Sequence, residues 1–146
     1  MSNEVINKYA SQVTLEASGA SAASAAFAAA DDAALSSTNH LHYPLGDFAL
    51  TCDFGGAVAA GVAVELYRQD LNIDGTADAP APAAAHPHQL VGVFKIPSGA
   101  SASATYPCIN VVLTNECQFS VKNATAQTMS AGWVLKVTPK TVIPAT

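Results

Sequence analysis

Large apolar side chains recur at every second position along much of this chain, and that period confines it to extended strands. Phe48, Leu50, Cys52 and Phe54 alternate with Asp47, Thr51 and Asp53. A pleated strand sends the two sets to opposite faces, so one face is covered and the other wet. Cys117, Phe119 and Val121 alternate in the same way with Glu116, Gln118, Ser120 and Lys122. Val62, Val64 and Leu66 alternate with Glu65 and Tyr67, and Trp133, Leu135 and Val137 with Lys136 and Thr138. Residues 89–96 and 106–113 are richer in apolar residues and read as strands buried on both faces. A further strand around 11–16 brings the expected total to seven or eight.

Turn residues punctuate these runs at Gly55-Gly56, Asp74-Gly75, Pro97-Ser98-Gly99, Asn115 and the polar stretch 123–130. That many strands, with no convincing helix between them, predict an all-β fold. The expected architecture is an antiparallel two-sheet sandwich, jelly-roll-like or Greek key, and a doubly wound α/β fold is excluded. The chain has 146 residues, the length of one domain. Residues 11–146 are expected to form it, with 1–10 as an N-terminal arm that either orders on a neighbour or frays.

Two segments escape the alternation. Ser18 to Ser37 is rich in alanine, which favours helix, yet it has no amphipathic stripe and only Phe27 and Leu35 to anchor it. It reads as extended or irregular backbone packed closely on a neighbour, with a short helix near 28–35 as the alternative. Residues 76–88 are too rich in proline for a central strand and read as a long extended surface loop.

Charged residues make up 12% of the chain, about half the usual share, so something other than water should cover part of the surface. Six basic residues against eleven acidic ones, with no basic cluster, argue against nucleic acid. The first residues lack the basic and apolar regions of a secretory signal, and the alanine run from Ala20 to Ala34, broken by Asp31-Asp32, is unsuited to spanning a bilayer. Cys52, Cys108 and Cys117 therefore read as reduced core residues, and the acceptor sequence Asn123-Ala124-Thr125 as idle.

Four constellations bear on chemistry. Asp70-Leu71-Asn72-Ile73-Asp74-Gly75 copies the opening of a calcium loop, and Asp78 falls at its ninth position. Its twelfth position is Ala81 where a bidentate Glu is required, so the reading is a turn whose Asp and Asn side chains cap backbone amides. His40 and His42, with His86 and His88, form two pairs at strand spacing that could make a zinc site only if the fold brought them together. Asp31-Asp32 reads as a turn or solvated pair. Serines are many, but none sits in a nucleophile elbow. No catalytic, cofactor-binding or metal residue is assigned, and the chain reads as a non-enzyme. Tyr43, Tyr67 and Tyr106 are the candidate platforms of a glycan-binding sandwich, though buried rings are the simpler reading.

Residues Tyr43 to Leu50, Leu66 to Pro80 and Ser130 to Lys140 resemble the capsid cement, or decoration, proteins of tailed phages and prophages. The resemblance implies a jelly-roll-like subunit on the outer surface of an icosahedral head, bridging neighbouring major capsid proteins and carrying no catalytic residues. It implies the major capsid protein as partner and manufacture in the bacterial cytoplasm. Self-association is also expected, because sandwich edges invite pairing, with a dimer favoured over a trimer. A tail or head-fibre base and a glycan-binding sandwich are the other readings.

Overall fold

The structure is a computed structural model and describes residues 5–36 and 43–144. Nine strands follow one another among these residues: β1 (Val5–Tyr9), β2 (Val13–Gly19), β3 (Phe27–Leu35), β4 (Leu45–Cys52), β5 (Ala63–Asp70), β6 (Leu90–Lys95), β7 (Ala104–Val112), β8 (Cys117–Asn123) and β9 (Trp133–Pro144). The only other regular element among the described residues is a 3-10 turn at Pro87–Gln89. All strand pairing is antiparallel.

Pairing is nested. β2 lies beside β9, β3 beside β8, β4 beside β7 and β5 beside β6, as in one long hairpin rolled on itself. Contacts of β4 with β9 and of β5 with β8 complete two facing sheets, β2-β9-β4-β7 and β3-β8-β5-β6. This is the jelly roll, the two-sheet sandwich that the alternation predicts. The ninth strand, beyond the expected seven or eight, is β1: residues 5–9, expected as an arm, pair with β9 of their own chain.

The core is the inward set of each alternation. β4 buries Gly46, Phe48, Leu50 and Cys52, and β8 buries Cys117, Phe119 and Val121. Phe48 and Phe119, one from each sheet, meet edge to face with centroids 4.7 Å apart. Burying each such side chain contributes roughly 1.5–3 kcal/mol. Trp133, at the start of β9, is almost wholly buried and satisfies its indole N–H on the Ala20 carbonyl at 2.8 Å.

The extended reading of the alanine-rich segment holds over Phe27–Leu35, which form strand and not the alternative short helix, because the alanines find their hydrogen bonds on β8 and lack the apolar stripe that would hold a helix to the core. One reading is corrected outright and another in part. Residues 89–96 and 106–113 are not buried on both faces. β6 buries only Phe94, and β7 only Tyr106 and Val111, because in a two-layer sandwich the other sheet covers only the inner face of each strand. Asp31-Asp32 is an exposed pair, as one of its two readings has it, yet it lies not at a turn but in β3, where the register with β8 slips between Ala30 and Leu35.

The sheets close on each other along both sides. At the β2–β3 seam, Asp32 Oδ2 accepts the Ala17 N–H at 2.6 Å and Glu16 Oε2 accepts the Asp31 N–H at 3.3 Å. At the β6–β7 seam, Gly92 packs so tightly on Cys108 that a Cβ there would lie 2.5 Å from the sulfur.

Candidate protein-docking surface

Strands β3, β5, β7 and β9 finish at one end of the sandwich, where β4, β6 and β8 begin. Of the eight large apolar side chains left exposed among the described residues, all but Val93 lie at or near this end. Ile6, Tyr9 and Val142 come from β1 and β9, Ile109 and Val112 from the last part of β7, Leu90 from the start of β6, and Ile73 from the loop after β5. Ile73 is 66% exposed, Ile109 64% and Val112 58%, values that leave most of each side chain in water. The opposite end turns its large apolar residues inward: Val58, Ile96 and Met129 are all buried.

Local chemistry explains why these side chains project. Asn110 takes a left-handed φ of 61°, which asparagine tolerates better than most residues. Its N–H donates to Asp47 Oδ1 at 3.0 Å, and the register of β7 on β4 slips at this point. The resulting bulge turns Ile109 outward. Asp47 is held in turn by Lys140, 2.7 Å away and nearly buried although it lies on the outer face of its sheet. Next to Ile109, Val112 is fixed through its carbonyl, which accepts a hydrogen bond from Arg68 Nη1 at 2.8 Å. Arg68 also pairs with Asp70 at 2.8 Å, and Asp70 accepts the Thr114 hydroxyl at 2.7 Å. The apolar end is thus built on a pinned backbone.

The calcium-like loop uses its carboxylates locally. Asp70 is engaged by Arg68 and Thr114, Asp78 accepts the Asn72 N–H at 3.0 Å, and Asp74 accepts the amides of Thr76 and Ala77 at 3.0 and 2.7 Å. Those two amides hold the Asp74 carboxyl below the usual carboxylate range. The Asn72 side chain donates to Glu116, tying the loop to the β7–β8 connection. The side chains cap a turn, and the proline-rich stretch beyond is anchored by Gln69 on the Ala79 carbonyl and Gln89 on the Pro80 carbonyl, both at 2.7 Å.

His86 and His88 stand edge to face with centroids 5.9 Å apart, and His86 Nδ1 lies 3.1 Å from the Ala81 carbonyl. His40 and His42 lie outside the described residues. Glu16, Asp31 and Asp32 gather their carboxylates within 4.8 Å of one another, but Glu16 and Asp32 accept the backbone amides that close the β2–β3 seam.

Tyr67 and Tyr106 are buried, so neither offers an open ring face, and Tyr43 is half-buried. Tyr67 donates to Glu65 at 2.9 Å, and burial followed by that bond pushes its hydroxyl up to about 12. All three cysteines are free. Burial, followed by the nearby Asp53 charge, raises the Cys52 thiol to about 12, and burial raises Cys108 and Cys117 as well.

Sequence reasoning missed the apolar end. Ile73 could have been found there, as a lone large residue between Asn72 and Asp74-Gly75. Ile109 and Val112 could not, because within an apolar run nothing local tells an outward residue from an inward one. Comparison with protein-family models, with curated proteins and with solved structures finds no match for this chain.

Proposed function

We propose that the protein is a capsid cement protein, which docks by its apolar end on the outer surface of an icosahedral phage head and stabilises contacts between major capsid subunits. The observation that carries this reading is the one-ended exposure of Ile73, Ile109, Val112 and their neighbours on a domain otherwise low in charge. Exposed apolar side chains gathered on one region mark surfaces that a partner covers. The resemblance of the strand sequences to decoration proteins supplies the kind of partner. Burial of Tyr67 and Tyr106 makes a glycan platform the weaker alternative.

Such a protein works by binding and carries out no reaction. Whatever binds the assembled shell but not its separated subunits shifts the equilibrium toward the shell. Many copies, each adding a few kcal/mol of contact, together oppose the outward pressure of packaged DNA. Particles assembled without the protein should package DNA yet release it at a lower temperature, and adding the purified protein should restore resistance. The double variant Ile73→Lys, Val112→Lys should keep the wild-type melting temperature and fail to restore it. Depleted heads as heat-resistant as complete ones, or protein that fractionates with tails, would overturn the reading.

A further inference from the structure

We infer that the free edge of β1 is a pairing edge for a second copy of this chain, in an antiparallel register centred on Asn7. The partners of β4 on β9 end at Lys140, whereas β1 pairs with β9 from Lys140 to Pro144. These two strands therefore run past the body of their sheet as a two-stranded ribbon, a form that is only marginally stable by itself. Ile6 and Tyr9 on it are 49% and 52% exposed.

The hydrogen-bond phase of β1 fixes what its outer edge offers. The Ala10 N–H donates to the Pro139 carbonyl at 2.8 Å. Residues that exchange bonds with a neighbour alternate with those that do not. Lys8 and Ile6 therefore turn their backbone groups toward Thr141 and Ile143, and Asn7 and Tyr9 turn theirs away from β9. Among the described residues no strand lies on that side.

The other edges are guarded. β2 and β3 are latched together by Glu16 and Asp32, while β6 and β7 abut through Gly92 and Cys108, and β7 carries Pro107 and the Asn110 bulge. β1 has no proline and no bulge, and of the devices that keep an edge from pairing it carries only its shortness and the single charge of Lys8.

A second β1 fits this edge. With Asn7 opposite Asn7 of the second copy, Tyr9 lies opposite Val5 and Lys8 opposite Ile6, so no like charges face each other. The two five-stranded sheets become one. A two-fold arrangement of this kind closes after two copies. A single short strand pair buries less than the roughly 1,200 Å² of a stable interface, so the association is weak and appears as protein concentration rises. Ile6 and Tyr9 belong to the apolar end as well, but the pairing edge is the backbone of β1, and its test needs the purified protein alone.

Sedimentation equilibrium over a range of concentrations should show the average mass rising from monomer toward dimer. Asn7→Pro removes only an outward N–H, and the fixed φ of proline is compatible with an edge strand. It should hold the protein monomeric with its melting temperature unchanged. Paired residues of this type lie about 5.5 Å apart at Cα, within reach of a disulfide. Asn7→Cys should therefore yield a covalent dimer on mild oxidation, where the wild-type protein yields none. A wild-type protein that stays monomeric throughout overturns the inference and leaves the edge to a strand of another protein. A dimer that Asn7→Pro leaves intact, or one that Asn7→Cys does not lock, overturns the register.

Discussion

Gly19 ends β2 where the indole of Trp133 needs the space: a Cβ on it would lie 2.0 Å from Trp133 Cε2. No rotation of a methyl relieves such a contact, so either the strand or the ring must move. Gly19→Ala should destabilise the fold by about 3 kcal/mol, at the upper end of overpacking costs, because the ring is nearly wholly buried and hydrogen-bonded. Urea unfolding followed by Trp133 fluorescence measures this, and a midpoint equal to wild type would contradict it. Nothing around Gly19 in sequence announces the need. Trp133 is more than a hundred residues away, and the two meet only because β2 lies against β9.

At the scale of elements, the β8–β9 connection is organised by one side chain. Asn123, with no exposed surface, donates to the carbonyls of Ala22 and Gln127 at 2.8 and 2.7 Å and accepts the Thr125 N–H and hydroxyl at 3.0 and 2.7 Å. It joins this connection to the one between β2 and β3. Asn123→Ala leaves several buried groups unsatisfied and should cost about 3 kcal/mol, read as a lowered urea midpoint. The acceptor sequence at Asn123 is accordingly closed to a glycan in the folded protein. Elements also differed in how far the sequence revealed them. β4, β5, β8 and β9 each alternate sharply because one face meets the core and the other water. β3 was ambiguous because alanine is small enough for either face and gives no contrast. The apolar content of β6 and β7 suggests cover on both faces, but content does not report coverage, and a two-layer sandwich covers only the inner face.

At the scale of the whole molecule, the fold prefers several thiols and phenols in their neutral form, and that preference sets its response to alkali. The Cys52 thiol rises from 9.0 to about 12 and the Tyr67 hydroxyl from 10.0 to about 12, with Tyr106, Cys108 and Cys117 raised too. The unfolded chain gives up these protons first. Stability from these groups is therefore complete below pH 9.0, falls as pH rises from there toward about 12, and is lost beyond it. Urea midpoints should hold steady up to that threshold and then decline, and a midpoint still unchanged well past pH 10.0 would contradict this. The same division of local from global separates what was legible in the sequence from what was not. The sequence by itself determined that the chain is a sandwich, since a period of two with turns at short intervals is a local property that each strand carries alone. It also determined the scarcity of charge. Only the tertiary structure decided that β2 meets β9, that β1 is a strand with no further strand beside it among the described residues, and that Ile73, Ile109 and Val112 share one end. Those facts depend on which distant segments pair and in what register, and a residue's side of a sheet is fixed by its neighbours across the ladder.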